Sequence, residues 1–169
     1  MVPHEYVNAL DALPSFVDMT QVGWVCKSAE LHTLMATRFP NASQSRHLVW
    51  MEPQEGERPP FACEKLVVIA ALPLMRLIPE RRGWRDAPVG AWRLRRLLRR
   101  HGWRISAEYR FHTCTSILLN MLAQQLEQKG QPARADRWQF AGRLRYVSQF
   151  PIPSTLALMV CDPQTVFKA

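Results

Sequence analysis

The chain has 169 residues, 47% of them hydrophobic and 21% charged, with a formal charge of +8. That composition excludes a disordered chain, and the length suits one domain that buries a core without disulfide or metal staples. Ten of the 22 basic residues are arginines between positions 76 and 104, where the acids are only Glu80 and Asp86. One segment therefore carries the whole positive excess.

In chain order, Pro3 suits the first turn of a short helix through HEYVNALDAL, closed by Pro14. SFVDMTQVGWVCK reads as irregular, turning at Gly23. Ser28 is a fitting N-cap for AELHTLMATRF, whose Leu31, Leu34, Met35 and Phe39 recur at helical spacing until Pro40 stops them. HLVWM, 47–51, is allowed as a short strand. EPQEGERPP, 52–60, is the clearest linker or exposed loop. It divides an N-terminal helical segment, 1–51, from a helical core, 61–169, that carries the basic face within one compact domain overall.

FACEKLVVIAALPLMRLI reads as an apolar helix kinked or divided at Pro73. Its greasiest run, Leu66 to Met75, is too short to span a bilayer, so no membrane insertion is expected. An arginine-rich helix follows over roughly 89–101, with Gly102 in a favourable position just past its end. RISAEYRFH fits either the start of a long helix running from after Ser106 to Lys129 or a half-exposed strand with a strand–helix junction near 112. Pro132 opens a last helix, PARADRWQFAGRLRYVSQF, and TLALMV makes a final short helix or strand. These elements predict a mainly α, irregular helical domain, with short strands allowed near 47–51, 104–111 and 155–160.

The arginine helix is the most specific signal. At 100° per residue from Trp92, the residues Ala91, Leu94, Leu97 and Leu98 fall between about 140° and 260°, a core-facing stripe. Arg93, Arg95, Arg96, Arg99 and Arg100 surround Trp92 on the other side, with no acid or lysine among them. Such a face repels itself, and pairs four residues apart, such as Arg96 and Arg100, each cost a few tenths of a kcal/mol. Guanidinium forks match phosphate or carboxylate, and an indole offers a stacking surface. The bland alternative is a solvated helix face, or one already docked by an acidic segment of the same chain such as EPQEGE.

Other chemistry is weakly signalled. His112 and Cys114 have ligand-like spacing, but helical placement would turn them about 200° apart, and no paired zinc-type spacing is present. No metal and no cofactor are expected. The sequence has no nucleophile elbow, glycine-rich phosphate loop or HExxH motif, and its fourteen carboxylates are sparse, so an enzyme is not expected. Four scattered cysteines fit reduced, mainly buried thiols, and MVPHEYVNALDALP lacks the pattern of a signal peptide, so the expected location is cytoplasmic. Arg134, Arg137, Arg143 and Arg145, with Trp138 and Tyr146, form a second basic-aromatic stretch.

The expectation is a non-catalytic nucleic-acid-binding accessory, or small subunit of a nucleic-acid-handling complex, that contacts the DNA or RNA backbone. Arg93, Arg95, Arg96, Arg99 and Arg100 supply the positive face, Trp92 stacks, and Arg82, Arg85 and Arg104 flank. Other protein subunits are expected partners. The alternative is an adaptor in a multiprotein assembly, such as a secretion machine, using the same face on an acidic protein surface.

Overall fold

The apolar run that reads as a helix is a strand at the heart of a sheet. The computed structural model describes residues 2–40, 46–54, 56–60, 63–77 and 90–164. The strands are β1 (Val22–Val25), β2 (His47–Met51), β3 (Lys65–Ala71), β4 (Trp103–Thr113), β5 (Val147–Ser148) and β6 (Ser154–Pro163). They form one mixed sheet in the order β1-β2-β3-β6-β4-β5. The helices are α1 (His4–Ala12), α2 (Ala29–Arg38), α3 (Ala91–Arg100), α4 (Cys114–Gln128) and α5 (Pro132–Leu144).

The expected mainly helical class is therefore corrected to α/β. Its main error lies at 65–71, where Leu66, Val67, Val68, Ile69 and Ala70 are all buried. A strand covered on both faces shows no alternation and looks like a buried helix in sequence. Here β3 pairs parallel with β2 and antiparallel with β6, and the β-branched Val67, Val68 and Ile69 suit that pleated setting. The strands allowed near 47–51, 104–111 and 155–160 all form, longer in the last two cases. The junction near 112 is also present: Thr113 ends β4, and its hydroxyl accepts from the Ser116 amide at 3.2 Å to cap α4. Residues 22–25, read as irregular, form the strand β1 on β2. The last helix ends at Leu144, short of the expected 150.

Two apolar layers sandwich the sheet. On one face α1 and α2 pack with Val67, Ile69, Phe111, Leu156, Leu158 and Val160. On the other, α3 packs with Leu66, Val68, Trp103, Ala157, Met159 and Cys161. A bulge between Ile105 and Ala107 shifts the β4–β6 register, and the Ser106 hydroxyl donates to the Val160 carbonyl at 3.1 Å. The bulge reverses the alternation of β4. Before it, Trp103 and Ile105 pack on the α3 side; after it, Ala107, Tyr109 and Phe111 pack on the α1 side. Glu108 and Arg110 are thereby turned towards α3, as a bulge commonly re-aims side chains.

The α4–α5 pair is a different kind of structure. The two helices pack on each other, with Ala123, Ala135 and Gly142 among their few buried residues. Gly142 lies at that close approach: a Cβ there would sit 2.6 Å from Asn120 Oδ1, so that side chain would have to shift. Leu118, Met121, Leu122, Phe140 and Leu144 remain exposed, as does Phe150 beyond them. Among the described residues, no helix is long and apolar enough to cross a membrane.

Candidate functional site

The arginine helix exists and is oriented as its periodicity requires. Leu94 and Leu98 are fully buried against the sheet, Leu97 is half-buried, and Trp92 is 67% exposed. Gly102 has φ +77°, the left-handed conformation that lets the chain leave the helix and enter β4. The helix spans ten residues, about 15 Å.

Its guanidinium groups do not form one equivalent set. Arg95 is half-buried and donates through Nε and Nη2 to Glu108 Oε2, at 2.8 and 2.6 Å. Glu108 also pairs with Arg110, a side chain almost wholly buried under the helix. Burial lowers the pKa of Arg110 below the usual arginine value, Glu108 opposes that shift, and Arg95 adds to it. Glu108 thus neutralises a buried charge, and Arg95 completes an Arg–Glu–Arg chain. Arg95 belongs to the structure beneath the site, since its partner is a carboxylate from elsewhere in the fold.

Arg96, Arg99, Arg100 and Arg104 are exposed, and no described carboxylate forms an ion pair with them. Arg96 Cζ sits 5.4 Å from the Trp92 ring centroid, within cation–π range, so the indole holds a guanidinium on one of its faces. Arg93 is exposed but has an engagement of its own and is not counted with these four. Arg104 stands opposite Asp162 in the β4–β6 register. Arg82 and Arg85 lie outside the described residues. Trp103, just past Gly102, is a core residue.

The second basic stretch belongs to α5 and its exit. Arg134, Arg137, Arg143 and Arg145 are exposed there, and α5 packs on α4. The apolar stretch 65–71 is the buried β3; among the described residues, α4 and α5 carry several exposed apolar side chains.

His112 and Cys114 separate, one ending a strand and the other opening a helix. His112 finds partners more than a hundred residues away. Its Nδ1 lies 2.8 Å from Glu5 Oε1, and its ring stacks on Tyr146 at 5.4 Å. Sequence spacing carries no sign of this cluster, since HEY at the start of α1 looks like ordinary helix surface. The four cysteines are free: Cys161 is buried, and Cys26, Cys63 and Cys114 are half-buried. Burial pushes the thiol pKa of Cys26 to about 11 and that of Cys161 to about 12, which makes both poor nucleophiles.

No known family model matches the chain, and no curated protein or solved structure matches it.

Proposed function

We propose that the exposed face of α3 binds the phosphate backbone of nucleic acid, and that the protein is a non-catalytic subunit of a nucleic-acid-handling complex acting in the cytoplasm. One observation carries this reading: four exposed arginines, at 96, 99, 100 and 104, have no carboxylate partner among the described residues, on a helix whose apolar side is already buried. Mutual repulsion among these charges is relieved when phosphates dock, and arginine is the side chain best shaped for them. Contacts to the backbone position a protein without reading sequence, so weak sequence preference is expected. Trp92 contributes by holding Arg96 and by offering its remaining exposed surface to a base or sugar.

The test is an electrophoretic shift with mixed single- and double-stranded DNA and RNA at low salt, comparing the wild type with Arg96→Glu plus Arg100→Glu. The double variant should fold normally and lose about tenfold or more in affinity. Unchanged binding by that variant defeats the proposal.

A second reading, an adaptor for another protein, is favoured by the exposed apolar side chains of α4 and α5 beside Arg134, Arg137 and Arg143. Its partner would be an apolar surface with an acidic rim. It predicts that Phe140→Glu plus Leu144→Glu makes the isolated chain more soluble and leaves nucleic-acid binding unchanged. If solubility does not improve, this second reading loses its support.

A further inference from the structure

We infer that His4, Glu5 and His112 form a binding site for a divalent transition ion of the zinc class. One donor atom from each of the three side chains lies within 4.8 Å of the others, and among the described residues this is the one such group of three. The donors come from two elements brought together by the fold. His4 and Glu5 open α1, and His112 lies at the end of β4, where α1 packs against that strand.

The geometry is close to what a four-coordinate ion needs. Metal–ligand bonds of roughly 2.0–2.2 Å at tetrahedral angles place neighbouring donors about 3.3–3.5 Å apart. Both imidazoles turn Nδ1 towards the carboxylate of Glu5, His112 at 2.8 Å from Oε1 and His4 at 3.6 Å from Oε2. Each nitrogen thus stands within a few tenths of an ångström of the required spacing from one carboxylate oxygen, and one donor from each residue lies within 4.8 Å of the others. An ion between the donors would widen the first separation and tighten the second by a few tenths of an ångström.

The burial pattern supports the same assignment. The Glu5 side chain has no solvent exposure, so its charge must be compensated where it sits. His112 alone could serve a structural ion pair. A second imidazole, from the half-exposed His4, approaches the same carboxylate, with the two rings 5.4 Å apart. One divalent ion between them would compensate the carboxylate and use both rings as neutral ligands.

The backbone adds an independent sign. His112 has φ +49°, in the left-handed region, where a residue bearing a side chain is strained by about 1–3 kcal/mol. That conformation lies at the carboxyl end of a strand parallel to β3, the edge where open α/β sheets present their ligands. Tyr146 stacks on the His112 ring at an interplanar angle of 21°, and its hydroxyl accepts from Asn8 Nδ2 at 3.0 Å, which fixes the plane of the imidazole. Three protein ligands leave a fourth position open, on the side of the half-exposed His4. That position suits water or a small oxygen donor. The site belongs to α1, across the sheet from α3, so it is independent of the nucleic-acid reading.

The experiment uses the full chain, stripped with chelator and titrated with Co2+ and then Zn2+. The expected result is one Co2+ per chain, with visible d–d bands, no thiolate charge-transfer band, displacement by Zn2+, and a rise in Tm on binding. His4→Ala keeps the buried Glu5–His112 pair and should fold. It should weaken binding by at least about tenfold, as should His112→Ala, while His32→Ala should leave it unchanged. Absence of saturable Co2+ uptake, a thiolate band, or uptake indifferent to His4→Ala would overturn the assignment.

Discussion

Helices α3 and α5 have similar compositions and opposite fates. Each mixes arginines with a tryptophan and several large apolar residues. In α3 the apolar residues fall on one stripe, and Leu94 and Leu98 disappear into the sheet, so its outward surface is charge around one indole. In α5 they are dispersed around the helix, only Ala135 and Gly142 are buried, and Trp138, Phe140 and Leu144 meet solvent among the arginines. Composition alone does not distinguish a charged outward face from an apolar one. What distinguishes them is whether the fold has already covered the apolar residues.

The largest contrast is in stability. Leu98→Ala removes a fully buried side chain from the α3 layer and should cost about 2–5 kcal/mol, read from denaturant midpoints. Leu144→Ala, on the exposed side of α5, should change stability by less than about 0.5 kcal/mol. Equal losses would mean that α5 is as integrated as α3, and would break the comparison.

Glu108→Gln comes next. It leaves the buried Arg110 without its charge partner and should destabilise the fold by roughly 3 kcal/mol. It also frees Arg95, so affinity for nucleic acid should rise under conditions where the variant is folded. A fall in affinity would place Glu108 in the interface rather than beneath it.

The smallest effect lies away from both helices. Burial raises the pKa of Glu52 above the ordinary carboxylate value, partly offset by the hydrogen bond that the Tyr6 hydroxyl donates to it at 3.2 Å. The folded state therefore holds this proton more tightly than the unfolded chain, and stability declines as pH rises from the ordinary carboxylate pKa through the raised one. Glu52→Gln should gain a few degrees in Tm at neutral pH, a gain that fades once both states are protonated in acid. A gain of the same size at every pH would show that it does not arise from the Glu52 charge.

The sequence states α3 plainly because an amphipathic surface helix records its orientation in its period. Leu94, Leu98 and Trp92 sit where the wheel puts them, and Gly102 and the Thr113 junction follow from local capping and turn chemistry. The sheet was harder to read. In β3 and β6 every position from Leu66 to Ala70 and from Ser154 to Cys161 is buried, so period 2 leaves no trace. Partners across the sheet are also silent in the sequence. The pairing of Arg95 with Glu108 depends on a bulge at Ser106 that re-aims β4, and the meeting of His112 with Glu5 joins residues 107 positions apart.

The most direct measurement of the central claim is the salt dependence of nucleic-acid binding by the intact chain. With Arg96, Arg99, Arg100 and Arg104 each engaging a phosphate, log affinity for duplex DNA should fall against log salt with a slope of about −3 to −4, and Arg96→Glu plus Arg100→Glu should flatten it. A slope near zero, or no binding at low salt, would contradict the account.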